Sequence, residues 1–313
     1  MRPPHSQGLG VKHLTPIIAH SLSVQPKEII RMFASERRHR IKEILLKDGR
    51  VRVTDLVAQF GVSDETIRRD LDQLAEEGLV QRGYGGAVLA DHVRSAIAAI
   101  PPVHQRTLQY SAEKDTIGRA AAALVEDGQM VIIDAGSTTW NVARHLRRCR
   151  DVTVVTNSLD VAQECAKNPN LSVHLTGGRL IARSMCVVGP QAEAELRRYH
   201  AHLAILGTTG ISLDKGFACT DIFEAETKRA MAGSAERVVV VADHSKLQKR
   251  GLVSFALMSD VDLLITSNLA DPTVLAEIEA HGVKVLACAI GEPCSEADVG
   301  GLSLNDANAW PRR

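Results

Sequence analysis

The chain has 313 residues, with 37 Lys and Arg against 37 Asp and Glu, and its zero formal net charge excludes a uniformly basic, nucleic-acid-coating protein. The length suits two domains, each burying its own core, and no apolar run reaches the roughly 18 residues of a membrane span. Cys149, Cys165, Cys186, Cys219, Cys288 and Cys294 show no CxxC pair and no regular spacing, so free thiols and a cytoplasmic protein are expected.

Residues 1–35 are rich in Pro, His and Ser, hold no sustained period and read as a disordered extension. Met32 stands just ahead of the first clear helix and is a candidate translation start, which the intact mass of the native protein would decide. From Glu36 to Asp48, Ile41, Ile44 and Leu45 recur at helical spacing behind the basic run Arg37, Arg38, His39 and Arg40. Cations disfavour a helix N-terminus by a few tenths of a kcal/mol. A phosphate backbone would turn that cost into a gain, whereas a solvated charge run is the plainer reading. Between Glu36 and Leu89 ten basic residues face ten acidic ones, so any DNA contact rests on placement, not on net charge.

Val51 and Val53 alternate with Arg50 and Arg52 as in a short strand, and Thr54 is a cap for a helix over Asp55 to Phe60. Gly61 then breaks the periodicity. Ser63 can cap a second helix, Asp64 and Glu65 suit its positive end, and Ile67, Leu71 and Leu74 form one apolar stripe. Thr66, Arg68, Arg69 and Gln73 fall outside that stripe. Helix, tight turn, helix is the outline of a helix-turn-helix. Gly78 ends the second helix, and Leu79 to Leu89 reads as two small strands around a glycine turn, a wing with Arg82 and Tyr84 near its tip. Asp70, Asp72, Glu76 and Glu77 follow the arginines, so only the amino-terminal half of this helix can approach phosphates, and it should enter DNA end-first. The DNA-binding candidates are Arg37, Arg38, Arg40, Ser63, Thr66, Arg68, Arg69, Gln73, Arg82 and Tyr84.

Residues 90–111 contain Pro101-Pro102, lack an amphipathic period and read as a linker. Ala112 to Gly128 reads as a helix. Seven apolar strands follow, at Val131–Asp134, Val152–Thr156, Ser172–Thr176, Leu203–Gly207, Arg237–Ala242, Leu263–Thr266 and Lys284–Ala287. Helices fit between them at Thr138–Arg148, Leu159–Lys167, Gln191–Tyr199, Phe223–Ser234 and Pro272–His281. This α/β pattern over residues 112–289 means a mostly parallel sheet covered on both faces. Residues 290–313 read as a disordered tail.

Ligands of such sheets bind beyond the carboxyl ends of the strands. Those ends read Asp134-Ala135-Gly136-Ser137-Thr138-Thr139, then Thr156-Asn157-Ser158, Thr176-Gly177-Gly178-Arg179, Gly207-Thr208-Thr209-Gly210 and Asp243-His244-Ser245-Lys246. Glycines permit close backbone approach, hydroxyls donate, and a helix N-terminus offers free amides to an anion. Each loop alone is as readily a helix cap or turn, but together they favour a site for a polar anion such as a phosphorylated sugar. Glu224 and Lys228 stand four apart, as in a surface ion pair, and Lys228 could instead reach an anion. Asp243-His244 reads as structural hydrogen bonding. No HExxH, GxSxG or P-loop pattern occurs, and no metal or cofactor is expected.

At these residues the chain resembles the DeoR-type bacterial repressors of sugar metabolism, over about Glu36 to Ser267. ERRHRIKEILLKDG and VRVTDLVAQFGVSDETIRRDLDQLAEEGLVQRGYGGAVL resemble that family's winged helix-turn-helix. EKDTIGRAAA, IIDAGSTT, VTNSLDVA, LTGGRL, VGP, LGTTGI, TDIFEAETKRAM and VVVADHSKL resemble its sensor domain. The wing departs from the usual basic or His pair before Gly-Gly-Ala, and Val103 stands where relatives tend to show an aromatic ahead of the arginine, here Arg106. The resemblance implies a carboxy-terminal fold like ribose-phosphate isomerases and CoA-transferases without their catalysis, and a phosphorylated sugar as inducer. It also implies double-stranded operator DNA as partner and effector loops at Gly136 to Thr139, Thr156 to Ser158, Gly177, Gly178, Gly207 to Gly210, Lys228, Asp243 and Lys246. A homodimer or homotetramer is expected, since one such domain makes few DNA contacts, with coupling between the domains in the linker. The competing reading is a sugar-phosphate isomerase or deaminase fused to a DNA-binding domain, with Asp134, Glu226 or Asp243 as base. A third is a purely structural dimerisation module.

Overall fold

The computed structural model describes residues 32–99, 101–249 and 251–291. The expected extension over residues 1–31 and the tail beyond residue 291 lie outside the described residues. No helix among the described residues is long and apolar enough to cross a membrane.

The amino-terminal unit is α1 (Ala34–Asp48), β1 (Arg50–Arg52), α2 (Val53–Phe60), α3 (Asp64–Glu76), β2 (Val80–Gly83) and β3 (Gly86–Leu89). The strands form a small antiparallel sheet in the order β1-β3-β2. Ile67, Leu71 and Leu74 are completely buried with Ile41, Val53 and Leu56, so the apolar stripe of α3 is the keel of this core. Ser63 caps α3, accepting from the Thr66 amide at 3.2 Å. Thr54 is not a cap. Val53 already begins α2 behind Arg52, with no side-chain cap bond, because its amide donates to Gly85 at the wing turn and its side chain enters the core.

The linker is helical, with α4 (Asp91–Ala99) and α5 (Val103–Leu108). Among the described side chains, Val93 of α4 and Val103 of α5 are the buried ones. One anchor per helix leaves no period to read. Next, α6 (Ser111–Ala122) stops six residues short of Gly128, and Leu124 and Val125 enter the core from turns.

The carboxy-terminal unit continues with β4 (Met130–Ile133), α7 (Ser137–His145), β5 (Val152–Thr156), α8 (Leu159–Cys165) and β6 (Leu171–Leu175). Then come β7 (Arg179–Ile181), β8 (Cys186–Val188), α9 (Pro190–Leu196), β9 (Ala201–Gly207), β10 (Gly210–Ser212) and β11 (Gly216–Cys219). It closes with α10 (Ile222–Gly233), β12 (Ala235–Val241), β13 (Val253–Ala256), β14 (Leu263–Ser267), α11 (Pro272–Ala280) and β15 (Lys284–Cys288). Seven strands make one parallel sheet in the order β15-β14-β12-β9-β4-β5-β6. Its strands bury both faces: Val131, Ile133, Leu203, Ile205, Val239 and Val241 enter one core, while Ile132, Ala204, Leu206, Val238 and Val240 enter the other. Such two-sided burial is why they read as continuous apolar runs. The hairpin β7–β8 and the antiparallel set β10-β11-β13 have three or four residues per strand, too short for an alternation to show in the sequence.

The two units share a core. Cys186, Val188, Ile222 and Phe223 join the buried cluster of the amino-terminal unit. The Phe223 ring lies 4.5 Å from the His39 ring and under the Arg179 guanidinium at 4.6 Å, while Arg179 also pairs with Glu43 at 3.4 Å. Burial, opposed by Glu43, lowers the His39 pKa, so the imidazole at this contact is held neutral.

Candidate DNA-binding surface and effector pocket

The expected DNA contacts divide into exposed and consumed side chains. Ser63 is exposed and Thr66 half-buried with their hydroxyls 2.8 Å apart, and Gln73 is exposed. Arg69 pairs with Glu65 at 3.1 Å and Arg68 with Asp64, both one turn apart on the open face of α3. Exposed pairs of this kind are weak, so a phosphate or base edge can displace the carboxylates. Tyr84 is fully exposed at the wing turn. Arg82 departs from its expected place at the tip: it turns back to Asp72 at 2.9 Å and to the Gly86 carbonyl at 3.1 Å.

The basic start of α1 also departs from expectation. Arg37 is buried and donates to Asp70 at 2.5 Å, and Arg38 approaches the other oxygen of Asp70 at 3.5 Å. Asp70 itself is buried, so it does not belong to an outward acidic half of α3. A carboxylate taken from water requires such partners. Of the run, Arg40 remains exposed, beside Glu43 at 3.4 Å.

The sheet changes direction between β4 and β9: β5 and β6 extend to one side, β12, β14 and β15 to the other. A crevice opens at such a switch point. Here it is a cleft of about 450 Å³ lined by Gly136, Ser137, Thr138, Gly207, Thr208, Thr209, Lys228 and Lys246, all expected from the sequence. Arg106, Gln109, Tyr110, Lys114, Thr220, Glu224, Ser245 and Lys249 join them and were not anticipated as site residues. Gly136 starts α7 with no side-chain cap, leaving the first amides of that helix at the cleft. The sequence signal for Lys114 was its place one helix ahead of β4. Arg106 stood only as the arginine that the family resemblance places in the linker, and for Gln109 and Tyr110 there was no signal, because a linker shows no period.

The remaining expected effector residues serve elsewhere. Asp134 is buried behind the cleft, gripping Lys228 and accepting from the Gly207 amide at 3.0 Å. Lys228 also donates to the Gly207 carbonyl at 2.9 Å. Burial works against its charge, but Asp134, with Cys219 and Glu224, outweighs it and the pKa is raised. Glu224 forms no pair with Lys228; it accepts from Ser184 at 2.5 Å. Thr139 donates to the Gly136 carbonyl, Thr156 to Ile133, and Asn157 to Val187, while Ser158 caps α8. The Gly177 amide meets Glu195, Gly178 packs on Val188, and Arg179 faces Glu43 of the other unit. Gly210 lies in β10, against the backbone of Lys249 and Gly251. Asp243 is fully buried, held by Ser245 and 3.8 Å from both Lys114 and Lys246. His244 is structural, bonded through its ring and amide to the buried Glu113. Strand order explains the division: the ends of β12, β9 and β4 share the cleft, whereas the end of β5 is covered by β8, where Ser158 bridges to Cys186.

Of the possible catalytic bases, Asp134 is neutralised by Lys228, Asp243 lies under Ser245 and the lysines, and Glu226 sits outside the cleft beside Arg229 at 2.9 Å.

At the start of α10, Asp221 caps the helix by accepting from the Phe223 and Glu224 amides. Burial, then the neighbouring Glu224, raises its pKa from 3.8 to about 6. The folded state therefore binds this proton more tightly than the unfolded chain, so Asp221 favours folding at low pH and loses that contribution as pH rises from about 4 to about 6. Asp221→Asn keeps the cap oxygen and removes the titration; denaturant midpoints between pH 4 and 7 should fall less steeply in this variant than in the parent.

Two family models match the chain, a DeoR-like helix-turn-helix domain over residues 37–93 and a DeoR C terminal sensor domain over residues 109–268. The HTH-type transcriptional regulator GlpR of Haloferax volcanii is 38% identical over 256 residues, covering 82% of this chain and 98% of its own. A putative aga operon transcriptional repressor of Escherichia coli O157:H7 is 34% identical, covering 80% of this chain and 93% of its own. The glycerol-3-phosphate regulon repressor of Escherichia coli K12 is 31% identical, covering 82% of this chain and 100% of its own. Among solved structures, a ribose 5-phosphate isomerase A from Methanocaldococcus jannaschii overlaps 45% of this chain and 56% of that one at 16% identity, with a TM-score of 0.34, too slight a likeness to argue from. With a helix-turn-helix and a sensor domain both matched, and named transcriptional regulators aligned nearly end to end, this chain belongs to the DeoR family of DNA-binding transcriptional regulators and is not an enzyme.

Proposed function

We propose that the chain represses a sugar-metabolism operon and is released from its operator by a phosphorylated sugar or polyol bound in the cleft between β4 and β9. The observation that carries this reading is the cleft's lining: free amides at the start of α7, hydroxyls from Ser137, Thr138, Thr208, Thr209 and Thr220, and cations from Lys114, Lys246 and Lys249. Amides and cations suit a phosphate, and hydroxyl side chains suit a polyol. The names of the relatives, which include a glycerol-3-phosphate regulon repressor, point to the same chemical class.

On the DNA side, Ser63, Thr66, Arg68, Arg69 and Gln73 of α3 meet the major groove, with Tyr84 and Arg40 against the backbone. Domain bounds at residues 36–89 and 112–289 and assembly as a homodimer or homotetramer complete the reading, because one such unit offers few contacts. Arg69→Ala should weaken binding to an operator selected from random duplexes by about 1–3 kcal/mol if its guanidinium reads a base. Equal affinity of Arg69→Ala and Arg68→Ala with the parent would remove α3 from the reading role.

The effector is tested by thermal shift of the full chain with glycerol 3-phosphate, ribose 5-phosphate, fructose 1-phosphate, fructose 6-phosphate and glucosamine 6-phosphate, each against its dephosphorylated form. A compound that raises the melting temperature should also lower operator affinity. No shift with any phosphorylated compound would sink the reading.

A further inference from the structure

We propose that Arg106, on the helix that joins the two domains, is an anion-binding residue of the effector cleft, so that the ligand phosphate is gripped partly by the linker itself. The inference rests on the reading of this cleft as the effector site. Arg106 lines it from α5, together with Gln109 and Tyr110. Its Nε is shut off from solvent yet meets no acceptor, and among the described residues its guanidinium forms no hydrogen bond and no ion pair. A buried N–H without a partner is costly, and proteins seldom leave one so unless something else fills it.

The other carboxylates nearby are engaged: Glu224 accepts from Ser184 and Glu113 from His244. Lys114 spends two of its donors at 2.6 Å on the Arg106 and Gln109 carbonyls, which ties the end of α5 to the floor of the cleft. Burial lowers the pKa of Lys114 and Lys246 and Asp243 opposes it; neighbouring cations add to the lowering, Lys246 and then Arg106 at Lys114, Lys249 and then Arg106 at Lys246, so the cations of the cleft crowd one another. A dianionic phosphomonoester would relieve this repulsion and give the Nε–H its acceptor. Neutral sugars could offer an acceptor but would leave the repulsion in place.

The position of Arg106 gives binding a mechanical consequence. The α5 helix is fixed at its start by the Val103 amide on Arg183 and by the buried Val103 side chain. Immediately ahead of it lies α4, whose Val93 packs with Leu89 and Ala90 at the base of the wing. An anion held by Arg106 therefore restrains the linker as well as the sensor domain, and differential affinity for two linker arrangements is what a repressor needs.

The test uses the full chain, with inorganic phosphate and the phosphorylated sugars above as probes against matched sodium chloride, followed by thermal shift and isothermal titration. Arg106→Gln should leave the melting temperature without ligand unchanged or raised, because it removes a crowded charge and no bond. It should weaken the best probe by about tenfold or more, the loss expected for a charge-assisted hydrogen bond. Arg106→Lys should fall between. Equal affinity in Arg106→Gln and parent would overturn the role of Arg106 and leave the cleft reading standing, whereas no response of the parent to any probe would overturn both. A lower melting temperature of unliganded Arg106→Gln would also overturn the inference, since the side chain would then be bonded in the empty protein.

Discussion

Lys228→Ala is expected to destabilise the sensor domain by about 3–5 kcal/mol, the usual consequence of removing one member of a buried ion pair. Lys228 and Asp134 are both buried, at 4% and 2% exposure, and each completes the other's bonding around Gly207. Without the ammonium, Asp134 would keep the Gly207 amide donor and carry an uncompensated buried charge. The double variant Lys228→Met, Asp134→Leu should lose less than Lys228→Ala, since it removes the charge along with its partner. Urea unfolding of the parent, Lys228→Met, Asp134→Leu and the double variant measures the coupling. Additive losses would mean that the pair is not the unit holding β4, β9 and α10 together. Because Lys228 also lines the cleft, the double variant should fold yet respond poorly to an anion.

In the DNA-binding unit, Asp70→Ala should cost a comparable amount, about 3–5 kcal/mol, because it strands the buried Arg37 and removes the partner of Arg38. The consequence for DNA binding would be indirect. Asp70 faces inward from α3 and holds the start of α1 against it, so its loss should loosen the helix that offers Arg68 and Arg69. Calorimetry should show the melting transition lowered, and operator affinity should return when the measurement is made well below that transition. A variant that melts like the parent but fails to bind DNA would instead place Asp70 in recognition. Since Phe223 and Ile222 share the buried cluster of this unit, the same variant should also weaken the contact made by His39 on Phe223.

That contact links the two sites through one element. The α10 helix presents Phe223 to α1 of the DNA-binding unit and, one and five residues on, Glu224 and Lys228 to the cleft. The linker supplies the second link through Arg106 and Val93. Both involve side chains whose role depends on neighbours far away in sequence.

Much of the architecture is local physics and was legible from the chain alone. Ile67, Leu71 and Leu74 at steps of four and three, behind a capping Ser63, demand a helix with one buried face. Seven apolar runs separated by helices demand a parallel sheet covered on both sides, and all seven strands lie where those runs are. Loops rich in Gly, Ser and Thr at the strand ends marked where a ligand could sit. Strand order was not legible: it decides that the loops after β4, β9 and β12 meet at one cleft while the loop after β5 is closed over by β8. Nor was the pairing of charges. Arg37 and Asp70 are 33 residues apart and Lys228 and Asp134 are 94 apart, so no spacing rule joins them. Periodicity and capping act over a few residues and are written into the sequence, which is why the elements and the family of this protein could be read there. Burial and charge pairing act through space, and only the tertiary structure decided which arginines stay exposed on the helix-turn-helix and which cations line the cleft.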